Sequence, residues 1–585
     1  MKKKTTTILA ALIATSILSG CGGITIATTS PAGADAPLYV DPVYTEEAST
    51  MEYTGEVSDD KEYNGAYVYD DEPIAAAAPQ YIEPEYCERE ACDEESASCY
   101  DALAFCPDTS DQYCNKQRFC NPGREKYSEV SENPFKDVAS DPLSTFGADI
   151  DTASYTNLRR MITDGYTKRD IPAGSIRTEE LVNYFDYDYR DPKNGEMFAV
   201  NAQIIDCPWN KDTMLVNLGI KAKELSDTKD ILSNIVFLID VSGSMMSQDK
   251  LPLLQMGFDM LIDDLNENDR ISIVTYASSS DVVLSGVGGN EHSKIKRAVK
   301  SLEAGGSTNG GDGIITAYRL AEKYFIDGGN NRVIMVTDGD LNVGITSQSE
   351  LEDLISKEKE SGVFLSVLGF GTGNYNETTL ETLADKGNGN YSYIDCLAEA
   401  KKVLVDEFGS TLFTVAKDVK FQIEFNPKYV ASYRQIGYEN RQMGAKDFND
   451  DTKDGGEIGS GHTMTVMYEI ELAGAADDES PLRYQEAKLS DLGSKTDEWM
   501  TLSVRYKLPQ EEISKLMVFP ISKKCYTDRP NDDTLFAAYV AECGMILNDS
   551  EYVGDKDLRD VSRKLSKLDL NDEYKEEFAE LIELL

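Results

Sequence analysis

The chain has 585 residues, 104 of them acidic and 57 basic, for a formal net charge of −47. That length exceeds one ordinary domain and supplies enough residues for several cores. So acidic a surface repels nucleic acid and anionic lipid headgroups, which argues against a nucleic-acid-binding role and favours cations as partners.

The N-terminus reads as a targeting segment. Lys2, Lys3 and Lys4 precede a short apolar core over residues 8–17, too short for a stable membrane span. Leu18-Ser19-Gly20-Cys21 resembles a bacterial lipobox, which implies removal of residues 1–20 and lipidation of Cys21. No later window holds about 18 uninterrupted apolar residues. The expectation is an exported chain on the extracytoplasmic side of the cell membrane or outer membrane, attached by its N-terminal lipid. Residues 21–132 form a distinct segment. From position 22 onward it carries 25 acidic and 6 basic residues and 11 of the 32 tyrosines, as an extended, self-repelling tether would. Cys87, Cys92, Cys99, Cys106, Cys114 and Cys120 lie within it. A dense, even set in an exported chain reads as disulfides, with connectivity open. Zinc is disfavoured by the long gaps and the lack of His.

Residues 133–232 read as a small α+β module. Helical spacing covers 152–162, with Asp151 as N-cap, and 178–185; alternation marks strands near 198–205 and 214–220. Asp149 and Asp151 are assigned to capping and turn formation. Residues 233–411 alternate strands (near 234–240, 271–277, 281–287, 332–338, 363–369 and 390–395) with helices (near 251–265, 293–303, 312–325, 349–361, 378–386 and 397–408). Such alternation predicts a mostly parallel sheet covered by helices, with 281–287 as an antiparallel edge.

The first of these strands ends in Asp240-Val241-Ser242-Gly243-Ser244. Three side-chain oxygens on one tight turn, at the carboxyl end of a buried strand, suit a hard divalent cation. Gly305-Gly306-Ser307-Thr308-Asn309 and Thr337-Asp338-Gly339 add a hydroxyl-bearing loop and a second strand-end carboxylate. These three loops, in this order, resemble the metal-ion-dependent adhesion site of the von Willebrand factor type A domain. The resemblance implies a Rossmann-like α/β fold and Asp240, Ser242, Ser244, Thr308 and Asp338 as ligands of Mg²⁺, with Ca²⁺ and Mn²⁺ as alternatives.

Residues 412–530 alternate again, with strands near 419–425, 462–472, 499–506 and 516–520, and are expected as a β-rich, sandwich-like module. The acidic loop 447–457 partly mimics a calcium loop, but Thr452 stands where an EF-hand needs Gly, so a solvated hairpin is favoured. Residues 531–585 read as a helical tail that packs back on the fold. Cys207, Cys396, Cys525 and Cys543 are either buried thiols or further bridges.

Residues 142–155 (Pro-Leu-Ser-Thr-Phe-Gly-Ala-Asp-Ile-Asp-Thr-Ala-Ser-Tyr), 179–185, 437–441 and 456–462 resemble bacterial lipoproteins with a central von Willebrand A domain, often labelled calcium-activated chloride-channel homologues. The resulting expectation is a surface-anchored, metal-dependent adhesion or scaffold protein that captures a protein ligand by its carboxylate. The alternative is an accessory subunit of a membrane complex or a structural envelope protein. An enzyme is not expected. The only histidines, His292 and His462, are far apart, H-E-x-x-H is absent, and 305–308 lacks the Lys of a nucleotide-binding P-loop.

Overall fold

The computed structural model describes residues 35–43, 127, 131–225, 231–308, 310–339, 348–372, 376–474 and 490–585. Cys21 and the six-cysteine segment lie outside them. Six strands form the central sheet: Ser233–Asp240 (β1), Arg270–Tyr276 (β2), Ser280–Gly288 (β3), Asn330–Thr337 (β4), Phe364–Phe370 (β5) and Tyr391–Ile394 (β6). Their order is β3-β2-β1-β4-β5-β6, all parallel except β3, which runs antiparallel at the edge as expected.

Alternation along β1 explains the two helical layers. Every residue of β1 is buried. Ile235, Phe237 and Ile239 face a core shared with helix Leu251–Leu261, while Val236 and Leu238 face the opposite core, shared with helix Gly310–Lys323. The chain leaves β1 toward β2 on one side and later enters β4 on the other. The carboxyl end of β1 is therefore the topological switch point of the sheet.

The segments flanking this domain pair differently from the expectation of two separate modules. Phe198–Asp206 and Met214–Ala222 form a hairpin, but Met214–Ala222 also pairs antiparallel with Thr463–Leu472, which in turn pairs with Val430–Ile436. The facing sheet joins Leu143–Gly147 to Thr414–Phe425, followed by Glu498–Lys507 and Lys515–Ser522. Strands from before and after the central domain thus build one sandwich around one core, which includes Val200, Val216, Phe421, Val466, Leu502 and Phe519. The reason is edge pairing. Left to themselves, Met214–Ala222 and Thr463–Leu472 would each expose a row of unpaired amides and carbonyls. The central domain is an insertion. Its entry and exit meet where Gly461 N–H donates to the Lys223 carbonyl and Ser460 N–H to the Phe413 carbonyl.

The helical tail packs back as expected. Asp532–Leu547, Leu558–Leu565 and Glu573–Leu584 share a core with Ala153–Thr163 and Thr178–Asn183. Arg159, in the first of these N-terminal helices, ties the layers together. It is buried and bonds Asp395 and Glu399 of the central domain and Glu577 of the tail. Asp151 does not cap that helix. Thr152 occupies the cap position, and the Asp151 carboxylate instead accepts from Tyr391 N–H at the start of β6. Asp149 does close a turn, accepting from Asp151 N–H, and also pairs with Arg441 at 2.8 Å.

The acidic loop folds around lysines. Lys420 reaches the carbonyls of Asp447 and Asp450, and Lys507 donates to the Asp451 carbonyl at 2.8 Å. Cys207, Cys396, Cys525 and Cys543 are free thiols. Among the described residues no helix is long and apolar enough to cross a membrane.

Candidate metal centre

The site forms at the switch point because two buried strands end there in carboxylates. Asp240 closes β1 and Asp338 follows β4; both are essentially inaccessible. Asp240 Oδ1 accepts from Ser242 N–H at 2.8 Å, which folds the chain back over the carboxylate. Ser242 and Ser244 then bring their hydroxyls to 2.9 Å of each other. The turn Gly243–Met246 follows, with Ser244 and Met246 exposed.

Loop-to-loop backbone bonds place the third hydroxyl. Gly243 N–H donates to the Gly306 carbonyl and Gly305 N–H to the Val241 carbonyl. A Cβ on Gly243 would stand only 3.3 Å from that Gly306 oxygen, so the first two loops approach as closely as a glycine permits. Thr308 follows on this second loop, nearly buried, just before helix Gly310–Lys323. Ser278 N-terminal to β3 supports it, its hydroxyl accepting from Ser307 N–H. In the third loop Gly339, at φ +90, donates to Thr337 Oγ1 and turns the chain away after Asp338.

All five sequence-derived residues therefore lie on the three loops at one end of β1 and β4. Burial pushes the Asp240 carboxyl up to about 7; the neighbouring Asp338 charge adds to this, and the Ser242 hydrogen bonds oppose it. A carboxylate in so dry a place is under electrostatic strain that a cation at the site would relieve. The donors are two carboxylates and three hydroxyls, all oxygen, as a hard divalent ion prefers. Among the described residues no cluster of three or more His, Cys, Asp or Glu side chains forms, so a closed Cys/His zinc site is not built here. The histidines stand elsewhere: His292 opens helix His292–Lys300 and faces Asp263, and His462 lies at the neck of the sandwich.

One participant is absent from the motif. Lys250, in the residue before helix Leu251–Leu261, sends its ammonium to within 2.8 Å of Asp338 Oδ2, with both groups buried. A solitary lysine six residues after Ser244 carries no sequence signal for this contact. Thr337 is the other addition; its hydroxyl reaches Asp240 Oδ2 at 3.4 Å.

The von Willebrand factor type A domain model matches residues 234–405, a von Willebrand factor model matches 121–217, and the model of the C-terminal region of uncharacterized protein YfbK matches 410–585. Uncharacterized protein YfbK of Escherichia coli (strain K12) is 43% identical over 473 residues, covering 79% of this chain and 81% of that protein. Inter-alpha-trypsin inhibitor heavy chain H3 of Mesocricetus auratus is 28% identical over 165 residues, 27% of this chain and 18% of that protein. Among solved structures, a von Willebrand factor type A protein from Catenulispora acidiphila is 14% identical, covering 68% of this chain and 91% of its own, with a TM-score of 0.37. The chain belongs to the YfbK family, and its central domain is a von Willebrand A domain. Such domains mediate protein–protein contacts and commonly bind a divalent metal at this motif.

Proposed function

We propose that this protein is a surface-anchored adhesion or scaffold lipoprotein that captures the carboxylate of a protein ligand at a divalent ion. Asp240, Ser242, Ser244, Thr308 and Asp338 would hold the ion, Mg²⁺ before Ca²⁺ or Mn²⁺, and Cys21 would carry the lipid. The observation that carries this reading is the arrangement of the site. Two carboxylates lie buried at its floor, while Ser244 and Met246 are exposed at its rim. A bound ion there supplies a positive centre with a position left for an outside oxygen.

The chain's own residues do the rest. Asp240 and Asp338 offset most of the ion's charge. The hydroxyls of Ser242, Ser244 and Thr308 contribute neutral donors, so the site keeps an attraction for one further anion. This matters in a chain of net charge −47, which would otherwise repel an acidic partner. Met246, 66% exposed beside the site, offers an adaptable apolar contact to the same partner.

The test is capture of cell-envelope and medium proteins on the chain lacking residues 1–20, in Mg²⁺, in EDTA, and with Asp240→Ala. A partner retained only with metal and intact Asp240 supports the reading. A partner retained in all three conditions moves the function off the metal site.

A further inference from the structure

Lys250 occupies a position that a lysine ordinarily avoids. It immediately precedes helix Leu251–Leu261, where the helix dipole presents partial positive charge and disfavours a cation. Its side chain is 6% exposed, so water does not compensate. Asp338 contributes compensation, its Oδ2 accepting from the ammonium at 2.8 Å. The path to it is permitted by a glycine. At Gly371, just past β5 and at φ +74, a Cβ would fall 2.3 Å from Lys250 Cγ and Cε. The Tyr393 hydroxyl donates to the Gly371 carbonyl at 2.9 Å and holds that backbone in place. Three separate elements thus cooperate to bring one ammonium onto a carboxylate of the metal centre.

We propose that Lys250 is a tethered cation that competes with the divalent ion for Asp338 and so lowers and sets the metal affinity of the site. The inference rests on the reading of Asp240 and Asp338 as ligands of that ion. An ammonium on Asp338 cancels one of the two floor charges, and its own charge repels a dication arriving beside it. In a site this dry, removing that charge raises metal affinity by about tenfold or more. The consequence for function is a threshold: the site fills only where divalent ion is abundant, as outside a cell.

The experiment is Mn²⁺ binding to the chain lacking residues 1–20, read by isothermal titration calorimetry and by the electron paramagnetic resonance signal of free Mn²⁺. Four variants are compared with the parent: Lys250→Met, Lys250→Arg, Gly371→Ala and Asp240→Ala. Lys250→Met is expected to bind at least about tenfold tighter, Lys250→Arg to stay near the parent, and Asp240→Ala to lose binding. Gly371→Ala tightens binding by crowding Lys250 out while every charge is kept; its circular dichroism reports whether the fold survives. Mn²⁺ binding by the parent with unchanged or weaker binding by Lys250→Met overturns the competition and leaves the metal centre standing. No Mn²⁺ binding by either chain overturns the centre itself. Binding by Lys250→Met alone supports the competition in its strongest form.

Discussion

Asp240→Asn should abolish metal binding yet stabilise the chain in EDTA. The carboxyl rises from 3.8 to about 7 in the folded protein, chiefly through burial. Below pH 3.8 it is protonated in folded and unfolded chains alike and contributes nothing. Between pH 3.8 and 7 the unfolded chain ionises first, so stability falls as pH rises. Above pH 7 the cost is constant. At about 1.4 kcal/mol per pH unit it amounts to roughly 4 kcal/mol, an upper figure because neighbouring groups relax. Asn keeps the oxygen that accepts from Ser242 N–H at 2.8 Å and offers an amide to the Thr337 hydroxyl. The expected gain at pH 8 in EDTA is therefore about 2–4 kcal/mol, near 3 °C per kcal/mol for a domain of this size, and it vanishes below pH 4. Hydrogen exchange of the β1 and β4 amides is the local assay, since the only tryptophans, Trp209 and Trp499, lie in other cores. Thermal unfolding by circular dichroism is the global one. Mg²⁺ should protect those strands in the parent and not in the variant. An Asp240→Asn chain less stable than the parent at pH 8 in EDTA, or a gain that persists at pH 4, would refute the claim that burial strains this carboxylate.

Ser242→Ala should weaken Mg²⁺ and Mn²⁺ binding while leaving the melting temperature in EDTA within a few degrees, because it removes one exchangeable hydroxyl; calorimetry checks the first and circular dichroism the second. Arg159→Met should cost about 3–5 kcal/mol in urea unfolding, since it strands the buried Asp395 and Glu399 carboxylates without their shared guanidinium; a loss under about 1 kcal/mol would mean that Lys402 and Tyr184 alone satisfy Glu399. Gly313→Ala would set a Cβ 2.9 Å from Tyr276 Cβ and 3.2 Å from Leu238 Cδ1. It should destabilise the domain by about 1–3 kcal/mol and weaken metal binding, because the helix that follows Thr308 must shift, and denaturation beside Mn²⁺ titration reads both.

Much of the metal centre was legible because its residues sit next to chain features with strong local signals. A buried strand announces itself by an unbroken apolar run, and the residue where that run stops must lie at the strand's end. Asp240 and Asp338 are such residues, and Ser242 and Ser244 are tied to Asp240 within one turn. Lys250 was not legible. Its contact depends on Asp338, 88 residues away, and on the gap left by Gly371. Asp151 shows the same limit in reverse, since local spacing made it a helix cap and a strand 240 residues later claimed its carboxylate.

The sequence by itself determined the alternation of strand and helix in the central domain, its antiparallel edge at Ser280–Gly288, and the oxygen donors at its carboxyl end, but not the sandwich strands Leu143–Gly147 and Val430–Ile436. The features it determined follow from periodicity and from side chains adjacent in the chain. Only the tertiary structure decided that strands on either side of that domain close one sandwich, that Arg159 bonds both the central domain and the tail, and that an ammonium reaches the metal centre. Alternation states which face of a strand is buried and nothing about which edge meets it. Partner choice is settled by satisfying every backbone edge and every buried charge at once, and that condition exists only in the folded chain.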